Sequence, residues 1–99
     1  MLLKMDRLYS LIGLAFRANK LLYGIKAMEA IEKKKVHLVI LSNEASEKTR
    51  KKVLDKCAAY QVSVKYVDSK DDLSKAIGKE NIVMVAIIDL GFTQSILKA

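Results

Sequence analysis

The sequence has no proline, no tryptophan, one cysteine, one histidine and only four glycines in 99 positions, and aromatic residues make up 6% of it. Each shortage excludes something. Cys57 cannot form an internal disulfide, which removes the disulfide-stapled scaffolds and fits a reducing compartment. Even with His37 it falls short of the four Cys and His ligands that structural zinc sites use. Glycines at 13, 24, 78 and 91 cannot assemble a dinucleotide fingerprint or a Walker loop, so nucleotide-dependent enzymes are not expected, and no cofactor is. No apolar run approaches the roughly 18–20 residues of a membrane span. The opening Met1-Leu2-Leu3-Lys4-Met5-Asp6-Arg7 lacks a basic region followed by a long apolar stretch and a cleavage site, so no export signal is expected and the expected address is cytoplasmic. No Gly/Ser-rich linker, repeat or low-complexity tract marks a boundary. Residues 1–99 are therefore expected to form one domain.

What is present points to a folded, basic domain. The apolar fraction is 52% and mean hydropathy is +0.12, which is incompatible with disorder. A chain of this size buries roughly 60–68% of the surface its unfolded form exposes, enough for a core. Net charge is +7, the usual footprint of a polyanion binder. Residues 1–53 hold twelve basic and five acidic residues, and residues 54–99 hold six of each. The whole excess sits in the first half.

Hydrophobic periodicity alternates along the chain. Met5, Leu8, Ile12, Ala15 and Phe16 have helical spacing over 4–18, with Asn19 placed to stop the helix. Leu21-Leu22-Tyr23 reads as a short strand before Gly24 and a second helix through Ala27, Met28 and Ile31. Val36 to Leu41 is a near-continuous apolar run, suited to a strand covered on both faces. Ser46 is placed as an N-cap for a helix through Val53, Cys57 and Tyr60. Val62 to Val67 alternates with period two, as a half-buried strand does. Ser69, Asp71 and Asp72 fit the start of a short helix, and Gly78 its left-handed end. Ile82 to Ile88 is a second buried strand run, followed by a last helix from Asp89 to near Leu97. Helices alternating with strands imply helices on both faces of one sheet. The expected fold is a three-layer α/β/α sandwich with a mixed, about four-stranded sheet in which 36–41 and 82–88 are central.

Three groups of residues offer chemistry. Cys57 and His37 could pair as a nucleophile and base, but Cys57 lies on an apolar helical stripe where cysteine behaves as a small hydrophobe. Asp68 and Asp89 each follow a strand, where open α/β sheets place ligands and metals, which leaves a small enzyme or phosphoacceptor module as an alternative. Both acids can equally cap turns. A protein-interaction adaptor is a further alternative. Basic residues are more telling: ten positives fall in segments 17–35 and 48–52, among them Arg17, Lys20, Lys26, Lys33 and Arg50. If the loops at Gly24 and at Ser42-Asn43-Glu44 share one edge, two helix N-termini would face a phosphate backbone. The low aromatic content disfavours a stacking platform for single strands, so folded RNA read by shape is the expected partner.

A family resemblance sharpens this. Gly13-Leu14-Ala15-Phe16-Arg17-Ala18-Asn19-Lys20-Leu21, Gly24, Ala30-Ile31, Leu38 to Leu41, Ser42-Asn43-Glu44-Ala45-Ser46, Asp55-Lys56-Cys57, Ala76-Ile77-Gly78-Lys79, Val85 to Asp89 and Gly91-Phe92 resemble the bacterial YlxQ-type proteins. These are similar to the ribosomal superfamily that includes L7Ae and L30e. The resemblance implies an α/β/α sandwich and non-catalytic binding of kink-turn RNA; the expected partner is ribosomal or ribosome-associated RNA, and the protein is expected to be a monomer. It also implies that the turn into the second helix contacts sheared guanine–adenine pairs through a Gly-x-Asn-Glu motif. An ungapped match puts Ile25 and Lys26 where Asn-Glu would stand, and lysine cannot accept from guanine N–H groups as a carboxylate does. Lys33 matches a basic family position, and Gly78-Lys79-Glu80-Asn81-Ile82 matches a loop that touches an extruded base. The expected RNA-binding set is Arg17, Lys20, Gly24, Ile25, Lys26, Lys33, Asn43, Lys79, Asn81 and Ile82.

Overall fold

Alternation along the two central strands decides which helix covers which face. A computed structural model describes residues 4–99, with side chains from Asp6 onward; residues 1–3 and the expected place of Met5 on the apolar stripe lie outside the described residues. The elements are α1 (Lys4–Arg17), β1 (Leu21–Tyr23), α2 (Gly24–Glu32), β2 (Leu38–Ser42), α3 (Glu47–Ala59), β3 (Ser63–Val67), α4 (Lys70–Ala76), β4 (Met84–Ile87) and α5 (Leu90–Lys98). The sheet order is β1-β4-β2-β3, with β2 parallel to β3 and β4 antiparallel to both β1 and β2. The two central strands are those expected from their apolar runs. Every residue of β2 and β4 is buried.

Leu38 and Ile40 of β2, with Val85 and Ile87 of β4, point to one face and pack with Leu8, Ile12, Ala15, Leu73 and Ile96 from α1, α4 and α5. Val39 and Leu41, with Met84 and Ala86, point to the other and pack with Ala27, Ile31, Val53 and Cys57 from α2 and α3. This is period-two alternation used on both faces, and it yields the three layers. Both central strands are shorter than their apolar runs. Val36 and His37 precede β2, with the His37 N–H donating to the Ile87 carbonyl, while Ile82, Val83 and Ile88 flank β4. Apolar character marks burial there, and ladder pairing ends sooner.

The first four helices end in the same way. Lys20 N–H reaches the Ala15 carbonyl and Asn19 N–H the Phe16 carbonyl, with Asn19 at φ +61°. The same two-bond closure recurs at Lys34, Gln61 and Gly78, each with positive φ. These are Schellman ends, which satisfy carbonyls that the last helical turn leaves unpaired.

Candidate nucleic-acid interface

Strand direction fixes what can meet at each end of the sheet. Because β4 runs against its neighbours, its first residue lies beside the last residues of β1 and β2, with Tyr23 paired to Val85 and Leu41 to Met84. That end therefore collects the N-termini of α2, α3 and α4 together with the 78–83 loop. The expectation that the Gly24 and Ser42-Asn43-Glu44 loops share an edge holds.

The helix starts at this end differ in how their amides are satisfied. Ser46 accepts from Thr49 N–H at 3.2 Å and Ser69 from Asp72 N–H at 3.1 Å. The Glu44 carboxylate accepts the Lys70 amide at 2.8 Å. α2 has no side-chain cap and no acid in its first turn. Its chain turns from strand to helix through Gly24 at φ +63°, where a side chain would be strained, and open space stands above the glycine. Ile25, 78% exposed, and the exposed Lys26 follow. The α2 start thus presents amides, an open backbone and an unusually exposed apolar side chain at one point.

Beside it lies a groove of about 400 Å³ between α2, α3 and the 78–83 loop. Gly24, Ile25 and Asn81 stand at its mouth, and Met28, Val53 and Met84 are among the residues lining it. Lys56 pairs with Glu32 along its length, and that contact holds the Glu32 carboxyl below the usual carboxylate range. Lys79 is docked by aromatic faces. Its Nζ lies 5.9 Å from the Phe16 ring centre and 5.8 Å from that of Tyr23, and the two rings are 6.2 Å apart in a tilted pair. Phe16 and Tyr23 pack against the core shared by α1, α4 and α5, so Lys79 is held from that side, at the same sheet end as Gly24.

The loop carrying Lys79 and Asn81 is pinned from below. Ser74 Oγ donates to the Lys70 carbonyl at 2.7 Å and accepts Ile82 N–H at 2.9 Å. Gly78 and Asn81 both take positive φ. Ile82 is buried, so it anchors the loop while also lining the groove. Ser74→Ala leaves the Ile82 amide without that acceptor. It is expected to cost about 1–3 kcal/mol in denaturant unfolding and to speed hydrogen exchange in the loop, and a loss under about 0.5 kcal/mol would contradict this role.

The expected residues thus divide. Gly24, Ile25, Asn81 and Ile82 meet in the groove, with Lys26 in the first turn of α2 and Lys79 in the loop at the same sheet end. Asn43 sits at the same sheet end but is engaged in holding it together. Its side chain donates to Asp68 Oδ1 at 3.0 Å, its N–H to the Val67 carbonyl, and its carbonyl accepts from Arg50 Nη2 at 2.7 Å. Lys20 precedes β1 and its carbonyl accepts Ile88 N–H, which places it at the opposite end of the sheet. Lys33 caps the C-terminus of α2, one helix length from Gly24. Arg17 lines a separate hollow between α1 and α4 with Tyr9, Gly13 and Asp72. Arg17, Lys20 and Lys33 therefore stand apart from the groove. Thr49 in the groove lining, and Phe16 and Tyr23 around Lys79, were not legible as part of this site, because only the sheet topology brings them there.

The alternative chemistries lose their geometry. Asp68 follows β3 and Asp89 follows the antiparallel β4, so the two carboxylates stand at opposite ends of the sheet. Asp89 caps α5 by accepting Phe92 N–H at 2.8 Å. Among the described residues no group of three or more His, Cys, Asp or Glu could hold a metal ion. Cys57 is buried and its thiol is pushed up by that burial, while His37 is exposed. Among the described residues, no helix is long and apolar enough to cross a membrane.

Comparison with known proteins agrees with this architecture. The chain is 41% identical over 90 residues to RNA-binding protein YlxQ of Bacillus subtilis strain 168, covering 90% of each. It is also 41% identical over 86 residues to RNA-binding protein YlxQ of Enterococcus faecium, covering 86% of this chain and 82% of that one. A protein of unknown function from Bacillus halodurans superposes with a TM-score of 0.86 at 42% identity, covering 93% of this chain and 94% of the other. The Giardia lamblia 15.5kD RNA binding protein shares the fold at a TM-score of 0.76 and 18% identity, over 96% of this chain and 82% of that one. With a family model matching residues 6–97 of this α/β/α sandwich, the chain belongs to the Ribosomal protein L7Ae/L30e/S12e/Gadd45 family.

Proposed function

We propose that the protein is a non-catalytic, cytoplasmic RNA-binding protein that holds a structured, kink-turn-like RNA, ribosomal or ribosome-associated, as a monomer. The observation that carries this reading is the uncapped, acid-free start of α2, opening beside the groove at the sheet end that also carries Lys79. Exposed amides at a helix N-terminus and adjacent lysines suit a phosphate, and exposed Ile25 over an apolar groove suits an unstacked base. The names of the Bacillus subtilis and Enterococcus faecium relatives support the class of partner.

Ile25 and Lys26 set the mode of recognition. Neither side chain can accept a guanine N–H, so an acceptor-type reading of guanine at this turn, worth roughly 1–3 kcal/mol for a good bidentate contact, is lost. The RNA is recognised by its bent shape, by phosphates and by a protruding base. In filter binding, a kink-turn RNA is expected to bind at least tenfold more tightly than a plain duplex of equal length. Lys26→Ala with Lys79→Ala is expected to lower the slope of log affinity against log salt by about 2. Equal affinity for the two RNAs would refute the kink-turn reading. An absence of RNA bound at low salt would refute RNA binding and favour a protein adaptor.

A further inference from the structure

The basic face of α3 is not explained by its fold. The helix carries Lys48, Arg50, Lys51, Lys52 and Lys56 against Glu47 and Asp55. Four of these cations lie in its N-terminal half, and two of them, Lys48 and Arg50, in the first turn, where the helix dipole favours acids. Arg50 has a structural task, since its Nη2 donates to the Asn43 carbonyl, and Lys56 pairs with Glu32. Lys48, Lys51 and Lys52 are exposed and make no ion pair with another described residue, Glu47 and Asp55 included. They are also spaced i, i+3 and i+4 from one another, which adds like-charge repulsion. A sequence that keeps a self-repelling, dipole-opposed cluster where packing asks for nothing is meeting an external demand.

Position says what that demand is. Lys52 lines the same groove as Gly24, Ile25 and Asn81. Lys48 and Lys52 stand one i, i+4 step apart in a row along the helix, a rise of about 6 Å that is commensurate with consecutive phosphates of a nucleic-acid strand. The row runs along α3 from the sheet end at which α2 begins. Contacts of this kind fix register on a backbone and read no sequence.

We propose that Lys48, Lys51 and Lys52 form a second phosphate track, which holds an RNA stem as it leaves the α2 site and lies along α3. The inference rests on the RNA-binding reading above and extends it from a point contact to a surface. Glutamine replaces lysine at little cost in helix propensity, so Lys48→Gln/Lys51→Gln, which leaves the groove-lining Lys52 in place, keeps the fold, with a melting temperature equal to or above that of the parent.

The test uses one kink-turn RNA with its stems long and the same RNA with each stem trimmed to the pairs next to the kink. On the long-stem RNA the double variant is expected to bind roughly fivefold to thirtyfold more weakly at about 0.1 M salt, with the salt slope lowered by about 1 to 2. On the trimmed RNA parent and variant bind within about twofold, and the preference for kinked over plain RNA is unchanged in the variant. An unaltered slope and affinity on the long-stem RNA overturns the proposal. Equal losses on both RNAs overturn it as well, because the lysines would then touch the kink itself. Poly-glutamate is the control for an acidic protein partner: if the variant loses poly-glutamate binding and keeps its RNA affinity, the stripe belongs to a protein. Should the parent show no kink preference, the kink-turn reading fails, and long against short plain duplex still decides whether the track exists.

Discussion

Ile40→Ala is expected to remove about 2–5 kcal/mol from the unfolding free energy, with the midpoint of a urea transition falling and its slope unchanged. Ile40 is fully buried in β2, between β3, where it pairs with Lys65, and β4, where it pairs with Val85. Its side chain points into the core shared by α1, α4 and α5. Strands hydrogen-bonded on both sides cannot close around a void, so the cavity persists and the lost transfer energy is not recovered. Domains of this kind are stable by about 5–15 kcal/mol in total, so the variant gives up a substantial share. A loss below about 1 kcal/mol would mean that the core relaxes as a fluid layer would.

Gly13→Val tests the opposite fault, overfilling. Gly13 is buried where α1 crosses α4, and a Cβ there would lie 2.7 Å from the Ala76 carbonyl oxygen, a backbone atom that cannot rotate away. The helices must separate, at an expected cost of about 1–3 kcal/mol or more. α4 runs on through Ile77 and Gly78 to Lys79, so its displacement reaches the ammonium docked on Phe16 and Tyr23. Thermal unfolding should therefore drop, and binding of kink-turn RNA should weaken in parallel. Weakened stability with undiminished affinity would show that the loop is positioned by Ser74 alone.

Much of the fold is written in local pattern. The two apolar runs identify the central strands, Ser46 and Ser69 cap as their types require, and Asn19 and Gly78 stop helices with positive φ. These features depend on near neighbours in the chain. The direction of β4 does not, since nothing in Met84-Val85-Ala86-Ile87 distinguishes parallel from antiparallel pairing, and that direction alone separates Asp68 from Asp89. The same holds for the site. Gly24, Ile25, Asn81 and Ile82 could be named from resemblance, whereas the docking of Lys79 on Phe16 and Tyr23 joins residues from three different elements. Lys20 and Lys33 looked equivalent to Lys26 by charge, and only the two ends of the sheet tell them apart.

The repeated helix endings have a bearing on how this sequence can change. Only Gly78 among the four carries the residue type for which left-handed backbone is free; Lys34 and Gln61 bear most of the roughly 1–2 kcal/mol that the conformation costs an ordinary side chain, and Asn19 bears less. The hydrogen-bond pattern over-determines these ends strongly enough to hold unsuitable residues in place. Stability is thus held back at the far ends of α2 and α3, away from the α2 start, and a single substitution there could release it. A chain with such slack can absorb destabilising changes around Gly24 and the 78–83 loop, which is where a change of RNA target would have to be made.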